Sequence, residues 1–382
     1  MTSFANIALA EIQFDCRHYS GYKPCHRHDG CPGCPHYAPR GEQILIIKLG
    51  AMGDVLRTKA LLGPLKREHP TSWVVWLTDP GSEPLVRDPR VDEIRAFTPA
   101  GIGALEGRRF SRLLCLDKDP HAVALSRRLT AERRQGFAPT EYNSVTVWNE
   151  ASLYALRLGL SDPLKFHQNE KTVPQIVCEM AELPYNGEEY GLEVSEAGRR
   201  EAASIRGRIF GEPDLFRGRT IGLNTGCGPV FATKGWTVER MGELLAMLER
   251  RPDWRLVLLG GPRERRLHAE LMSRAGRLAG RQVFDSGNDN SLEGFFGLVE
   301  SLDAVLSADS LAMHVAIALR RPVIAWFGPT CHQEVDLYGR GEKIVTDFPC
   351  SPCYLKSCPK PVFCMDAMRA ETVFAALERV LG

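Results

Sequence analysis

The chain has 382 residues, 44% of them hydrophobic and 25% charged, which is ample for two domains and a large buried core. A formal net charge of +1 leaves no excess to recruit nucleic acid or an anionic membrane surface. No apolar run approaches the ~18 residues of a spanning helix, and the opening MTSFANIALAEIQFD lacks the basic and apolar regions of a signal peptide, so a cytoplasmic setting is expected.

Residues 1–40 form a cysteine-rich segment with Cys16, Cys25, Cys31 and Cys34, interspersed with His18, His26, His28 and His36. Disulfides are rare in the cytoplasm, so twelve cysteines there point to metal or redox chemistry. From residue 41 the pattern becomes strand, turn, helix. QILIIKL (43–49) is an apolar run of strand length, and the segment that follows carries helical spacing up to Pro70. WVVWLT (73–78), EIRAF (93–97) and RLLCLD (112–117) read as further strands, and RRLTAERR (127–134) as a solvated helix face. NEASLYALRLGL (149–160) reads as a helix capped by Asn149. The pattern weakens over 161–217 and restarts at RTIGLNTG (219–226), with strands at WRLVLLGG, QVFDSG, AVLSAD and PVIAWFGP separated by helices. Two such arrays in tandem predict two parallel sheets covered on both faces. The tail holds Cys350, Cys353, Cys358 and Cys364 in a proline-rich loop, then an amphipathic helix over 370–382.

In open α/β sheets, ligands bind beyond the carboxyl ends of the strands. Four such ends are rich in polar residues or glycine. KLGAMGD (48–54) places Asp54 where a helix begins, either as a cap or as a general base. NTGCGPVFATKGW (224–236) brings Thr225, Thr233 and Lys234 into a glycine-bearing turn suited to a diphosphate. LGGPRE (259–264) carries Gly260 and Gly261, a tight turn or a nucleotide contact. SADSLAMH (307–314) opens a helix with Asp309 and Ser310, with His314 one turn in. Asp309 reads as a cap or a ligand to sugar hydroxyls, and a lone histidine on an apolar helix is most often a satisfied core residue.

The segments ILIIKLGAMGDVLRTKALLGPLKREHP, KGWTVERMGELLAML, VLLGGPRE and DSLAMHVAIALRRPVIAWFGPT, in this order, resemble glycosyltransferase family 9, the ADP-heptose:lipopolysaccharide heptosyltransferases, over about 41–382. The resemblance implies a GT-B fold, two Rossmann-like domains facing across a cleft. Residues 41–215 would form the acceptor domain, 216–345 the donor domain, and 346–382 the cysteine loop and last helix. It implies that Asp54 deprotonates the acceptor and that Lys234 and Thr225 hold donor phosphate. Asp309, Ser310 and His314 match the family's Asp-Thr-Gly-x-x-His, with Leu311 in place of the glycine. The reaction implied is an inverting displacement of a heptose-like sugar from a nucleotide-diphosphate donor, with no catalytic metal.

Some relatives, the autotransporter heptosyltransferases, carry a four-cysteine iron finger resembling the 350–364 set. The 350–364 set is therefore expected to bind structural metal, as zinc, iron or an iron–sulfur centre; the amino-terminal set lies outside the resemblance, and the same is expected of it from its own spacing, with His18, His26, His28 or His36 able to replace a thiol. The last helix is expected to return to the first domain, which would bring the sets close. Expected partners are an ADP-heptose-like donor and a glycan, lipid-linked or protein acceptor, without nucleic acid and with peripheral membrane association left open. Two other readings stand beside this one: a non-catalytic nucleotide-sugar binder, and a redox-sensing protein on the same scaffold.

Overall fold

The computed structural model describes residues 4–228 and 230–382; the first three residues of the amino-terminal segment, and Pro229 within the 224–236 loop, lie outside the description. The first sheet contains β1 (Gln43–Ile47), β2 (Trp73–Thr78), β3 (Glu93–Ala96), β4 (Arg109–Cys115), β5 (Thr130–Pro139) and β6 (Val145–Val147). Its order is β3-β2-β1-β4-β5-β6, parallel except for the last pair. The second contains β7 (Arg219–Asn224), β8 (Trp254–Leu259), β9 (Val283–Asp285), β10 (Ala304–Ala308), β11 (Val323–Phe327) and β12 (Gly341–Val345). All its pairs are parallel, in the order β12-β11-β10-β7-β8-β9. The inner strands are apolar without alternation because helices cover both faces. Among the described residues no helix is long and apolar enough to cross a membrane.

The order of neighbours reverses between β1 and β4 in the first sheet and between β7 and β10 in the second. These are the topological switch points, where crossovers diverge and leave a crevice beyond the strand ends. The turns after β1, β7 and β10, all singled out in the sequence, open at these two crevices.

Three expectations are corrected. Residues 127–134 are not one helix face: a helix ends at Arg128 and β5 begins at Thr130. The charged half of β5 pairs with β4 only, so one edge faces solvent, and its charges form surface contacts such as Arg109–Glu132 at 3.1 Å. Asn149 makes no cap; its side chain accepts from Gly136 N at 2.9 Å and donates to Met180 O at 2.9 Å. The last helix, Ala370–Leu381, stays on the second sheet, with Phe374 5.5 Å from Trp254 and Arg379 paired to Glu342. The amino-terminal segment packs instead at the amino ends of the first sheet, where Arg40 lies 4.9 Å over Trp73 and Arg17 stands 3.7 Å from Asp92. The two cysteine sets thus belong to different lobes and share no site.

The weakly patterned 161–217 stretch supplies the connector. Its long helix, Glu196–Phe210, packs along the helix Leu292–Glu300 of the second lobe. Glycine permits this closeness. A Cβ at Gly297 would stand 2.6 Å from the Gly198 carbonyl oxygen and 2.9 Å from Ala202 Cβ. Gly297→Leu should force these helices apart and lower stability by about 1–3 kcal/mol, read as a reduced urea midpoint with an unchanged slope.

Candidate active site

β1 runs out into a turn held from the side by Asp117, at the end of β4. One Asp117 oxygen accepts from Leu49 N at 3.0 Å, Gly50 N at 3.3 Å and Lys48 Nζ at 3.0 Å. The anchored turn delivers the short helix Met52–Thr58, with Asp54 in its first turn. Asp54 caps nothing: Ala51 is the cap residue, and the Asp54 carboxylate accepts from Arg57 Nη2 at 2.6 Å. Its side chain remains 40% exposed. Burial alone would raise this carboxyl, but the charges of Arg57, Lys48 and His314 and the bond from Arg57 outweigh it and hold it at about 2. Asp54 is therefore ionised at neutral pH.

Arg57 sits among Asp54, Glu334 and Asp309, whose charges overcome its burial and strengthen its protonation. Its Nε is buried without a hydrogen-bond partner among the described residues. Burial is also what pushes up the Glu334 carboxyl; Arg57 and Lys165 oppose the shift, while Asp309 and Asp54 add to it.

The second lobe answers from its switch point. The helix Leu311–Ala318 packs against Met52–Thr58. A Cβ on Gly53 would stand 2.7 Å from His314 Cδ2, so only glycine allows this approach. His314 is buried, and its Nδ1 lies 3.0 Å from Tyr190 OH. Burial, then the Arg57 charge, lower its pKa to about 4 against the pull of Asp309 and Asp54, so the imidazole is neutral. Asp309 lies 3.8 Å from both His314 Nε2 and Lys234 Nζ.

Asp54, Lys234, Asp309 and His314 are thus brought together. Ser310 lies at the edge, its hydroxyl 2.9 Å from Ser307 Oγ and accepting from Asn224 Nδ2 at 3.1 Å, so it does not cap the helix. Leu311 falls inside the helix without positive φ, so its side chain costs no backbone strain. Thr225 turns inward: its hydroxyl is 2.9 Å from His268 Nε2 and 3.1 Å from Leu259 O. Gly260 lies over that contact, where a Cβ would be 2.7 Å from His268 Nε2, and Gly261 N donates to Glu264 at 2.9 Å.

The carboxyl-terminal cysteine loop closes one wall. Tyr354 stacks on Phe166 of the first lobe at 5.5 Å and 4°, with Lys165 Nζ 3.6 Å from its ring. Leu355 O accepts from Thr233 at 2.7 Å, and Cys353 N donates to Pro329 O at 3.1 Å. Cys350 and Cys358 are exposed, Cys353 is half-buried and Cys364 is buried. Among the described residues no group of three or more His, Cys, Asp or Glu is arranged to hold a metal ion. Cys16, Cys25, Cys31 and Cys34, and Cys350, Cys353, Cys358 and Cys364, are thus not set at ligating spacing. All twelve cysteines are free thiols.

Two parallel-sheet lobes with their switch points opposed across a charged crevice define a GT-B-type α/β protein. The model for glycosyltransferase family 9 (heptosyltransferase) matches residues 104–363, and the chain belongs to that family. Over 139 residues it is 32% identical to lipopolysaccharide heptosyltransferase 1 of Pseudomonas aeruginosa, a match covering 34% of this chain and 36% of that relative, about a third of its length. The fold is similar to a family 9 glycosyl transferase from Veillonella parvula, at TM-score 0.68 and 17% identity over 90% of this chain and 99% of that one. It is also similar to the iron-containing heptosyltransferase TibC of enterotoxigenic E. coli in complex with ADP-D-β-D-heptose, at TM-score 0.53 and 11% identity over 90% of this chain and 76% of that one.

The Arg57 pairing sets the Asp54 titration. Because the folded carboxyl lies below its usual range, the stability it contributes is whole above about pH 4 and is lost as pH falls toward 2. In Arg57→Ala the carboxyl should titrate above about 2, read by carboxyl carbon NMR. An unmoved titration would assign the depression elsewhere.

Proposed function

We propose that the chain transfers a heptose-like sugar from a nucleoside-diphosphate donor to an acceptor hydroxyl, with inversion. The observation that carries this reading is an ionised Asp54 at the first switch point, facing Asp309, Lys234 and His314 at the second. Family membership supports the reaction class, and the named relative supports heptose as the sugar. TibC binds ADP-D-β-D-heptose, which supports an adenosine-diphosphate donor.

The Asp54 carboxylate takes the proton of the acceptor hydroxyl. The acceptor oxygen bonds to the anomeric carbon as that carbon's bond to the diphosphate oxygen breaks, and the nucleoside diphosphate leaves. Lys234 and the open amino end of Leu311–Ala318 stabilise the charge that grows on the leaving group. A carboxylate at about 2 is a weak base. Arg57, whose Nε has no partner among the described residues, can turn toward the diphosphate, and Asp54 gains basicity as it does. Asp309 balances Lys234 before the donor arrives.

Asp54→Ala should reduce turnover on the order of 10²–10⁴-fold while leaving ADP affinity nearly unchanged. Lys234→Ala should weaken ADP binding on the order of 10–100-fold, measured by calorimetry. Ordinary turnover in the first variant removes Asp54 as base, and ordinary ADP affinity in the second removes Lys234 from the phosphate site.

The four thiols of the 350–364 loop suit tetrahedral zinc or iron, and TibC is iron-containing, so a structural metal is proposed for this loop. Bound metal would brace Tyr354 and Leu355, which touch both walls of the crevice. Cys353→Ser with Cys358→Ser should lose that metal and lower the melting temperature. Unchanged metal content in the double variant counts against the site.

A further inference from the structure

Residues 4–40 pose a folding problem that their own packing does not solve. Their regular structure is two 3-10 turns, Phe4–Asn6 and Leu9–Glu11, and one bridge between Cys16 and Pro39. Only Cys16, Gly30 and Cys31 are buried, while Leu9, Phe14, Tyr22 and Tyr37 are exposed. Segments of this size without an apolar core are held by disulfides or metals. Disulfides are not formed here.

What converges instead is sulfur and imidazole. Cys16, Cys25, Cys31 and Cys34, with His18 and His36, line one cavity of about 20 Å³. That is space for a single small species. Cys31 and Cys34 share a turn closed by Cys34 N donating to Cys31 O at 3.1 Å, with Gly33 at φ +69°. The x2 spacing puts both thiols on one side of that turn, as structural metal sites require. Cys16 enters from the bridge to Pro39, and Cys25 from the loop between.

We infer that Cys16, Cys25, Cys31 and Cys34 form a tetrahedral thiolate site for one divalent zinc or iron ion, separate from the carboxyl-terminal loop, with His18 and His36 flanking it. The thiols line the cavity but are not at ligating spacing, so binding draws them inward, and each releases its proton to solvent as it ligates. The ion is structural. The segment docks at the amino ends of the first sheet through Arg17 and Arg40, whereas the proposed donor site lies at the carboxyl ends. This inference does not depend on the reaction proposed above.

Full-length protein grown with added zinc and iron is analysed for metal, wild type against Cys31→Ser with Cys34→Ser. The expected result is a loss of one metal ion per chain, a lower melting temperature and unchanged ADP affinity. Equal metal content in both proteins overturns the site. In case the variant fails to fold, native wild-type protein is labelled with maleimide and mapped by peptide mass. The four thiols should be protected until a chelator is added and protected again once Zn²⁺ is restored. Labelling at the same rate without chelator, or a peptide mass showing disulfides among them, also overturns it.

Discussion

The crevice depends on one close approach, that of the helix Met52–Thr58 to the helix Leu311–Ala318. Gly53 has no Cβ where one would meet His314 at 2.7 Å, so the two lobes touch at the base of the crevice. That contact sets Asp54 and Arg57 on one side against Asp309 and His314 on the other. The switch-point geometry of each sheet supplies the strand ends, and the missing Cβ supplies the registration between them.

Within that contact the charges alternate. Asp54 pairs with Arg57, Arg57 also feels Glu334 and Asp309, and Asp309 stands within 3.8 Å of Lys234. Neutral His314 sits between the lobes without adding charge. Such an array is stable without a ligand because each cation has a carboxylate nearby. In the function proposed above, Lys234 and Arg57 would exchange these carboxylates for a diphosphate. Electrostatic sites preorganised in this way need little rearrangement when charge develops.

Much of this was legible in the sequence. Apolar runs without alternation gave the central strands, and the turns after β1, β7 and β10 gave Asp54, Lys234, Asp309 and His314 as candidates. The limits were physical. Tyr190 and Glu334 lie on no recognisable spacing, because their roles come from the meeting of two lobes far apart in the chain. Arg57 stands three residues after Asp54, a helical pairing distance, and that was the one signal available. Asp117 read as the last residue of a strand, although it lies past β4 and anchors the β1 turn. The charged half of β5 carried no strand pattern because its free edge faces water. Thr225 was placed correctly in its loop, but its inward turn toward His268 depends on a buried partner 43 positions away.

The backbone contact between Gly198 and Gly297 sutures the connector helix to the second lobe. The chain reaches that helix through the stretch between Met180 and Glu196. Adjacent glutamates there grip opposite bodies, Glu188 holding Arg67 and Glu189 holding Arg340 and Arg320. That crossing is therefore clasped from both sides by ion pairs, which rising ionic strength would screen.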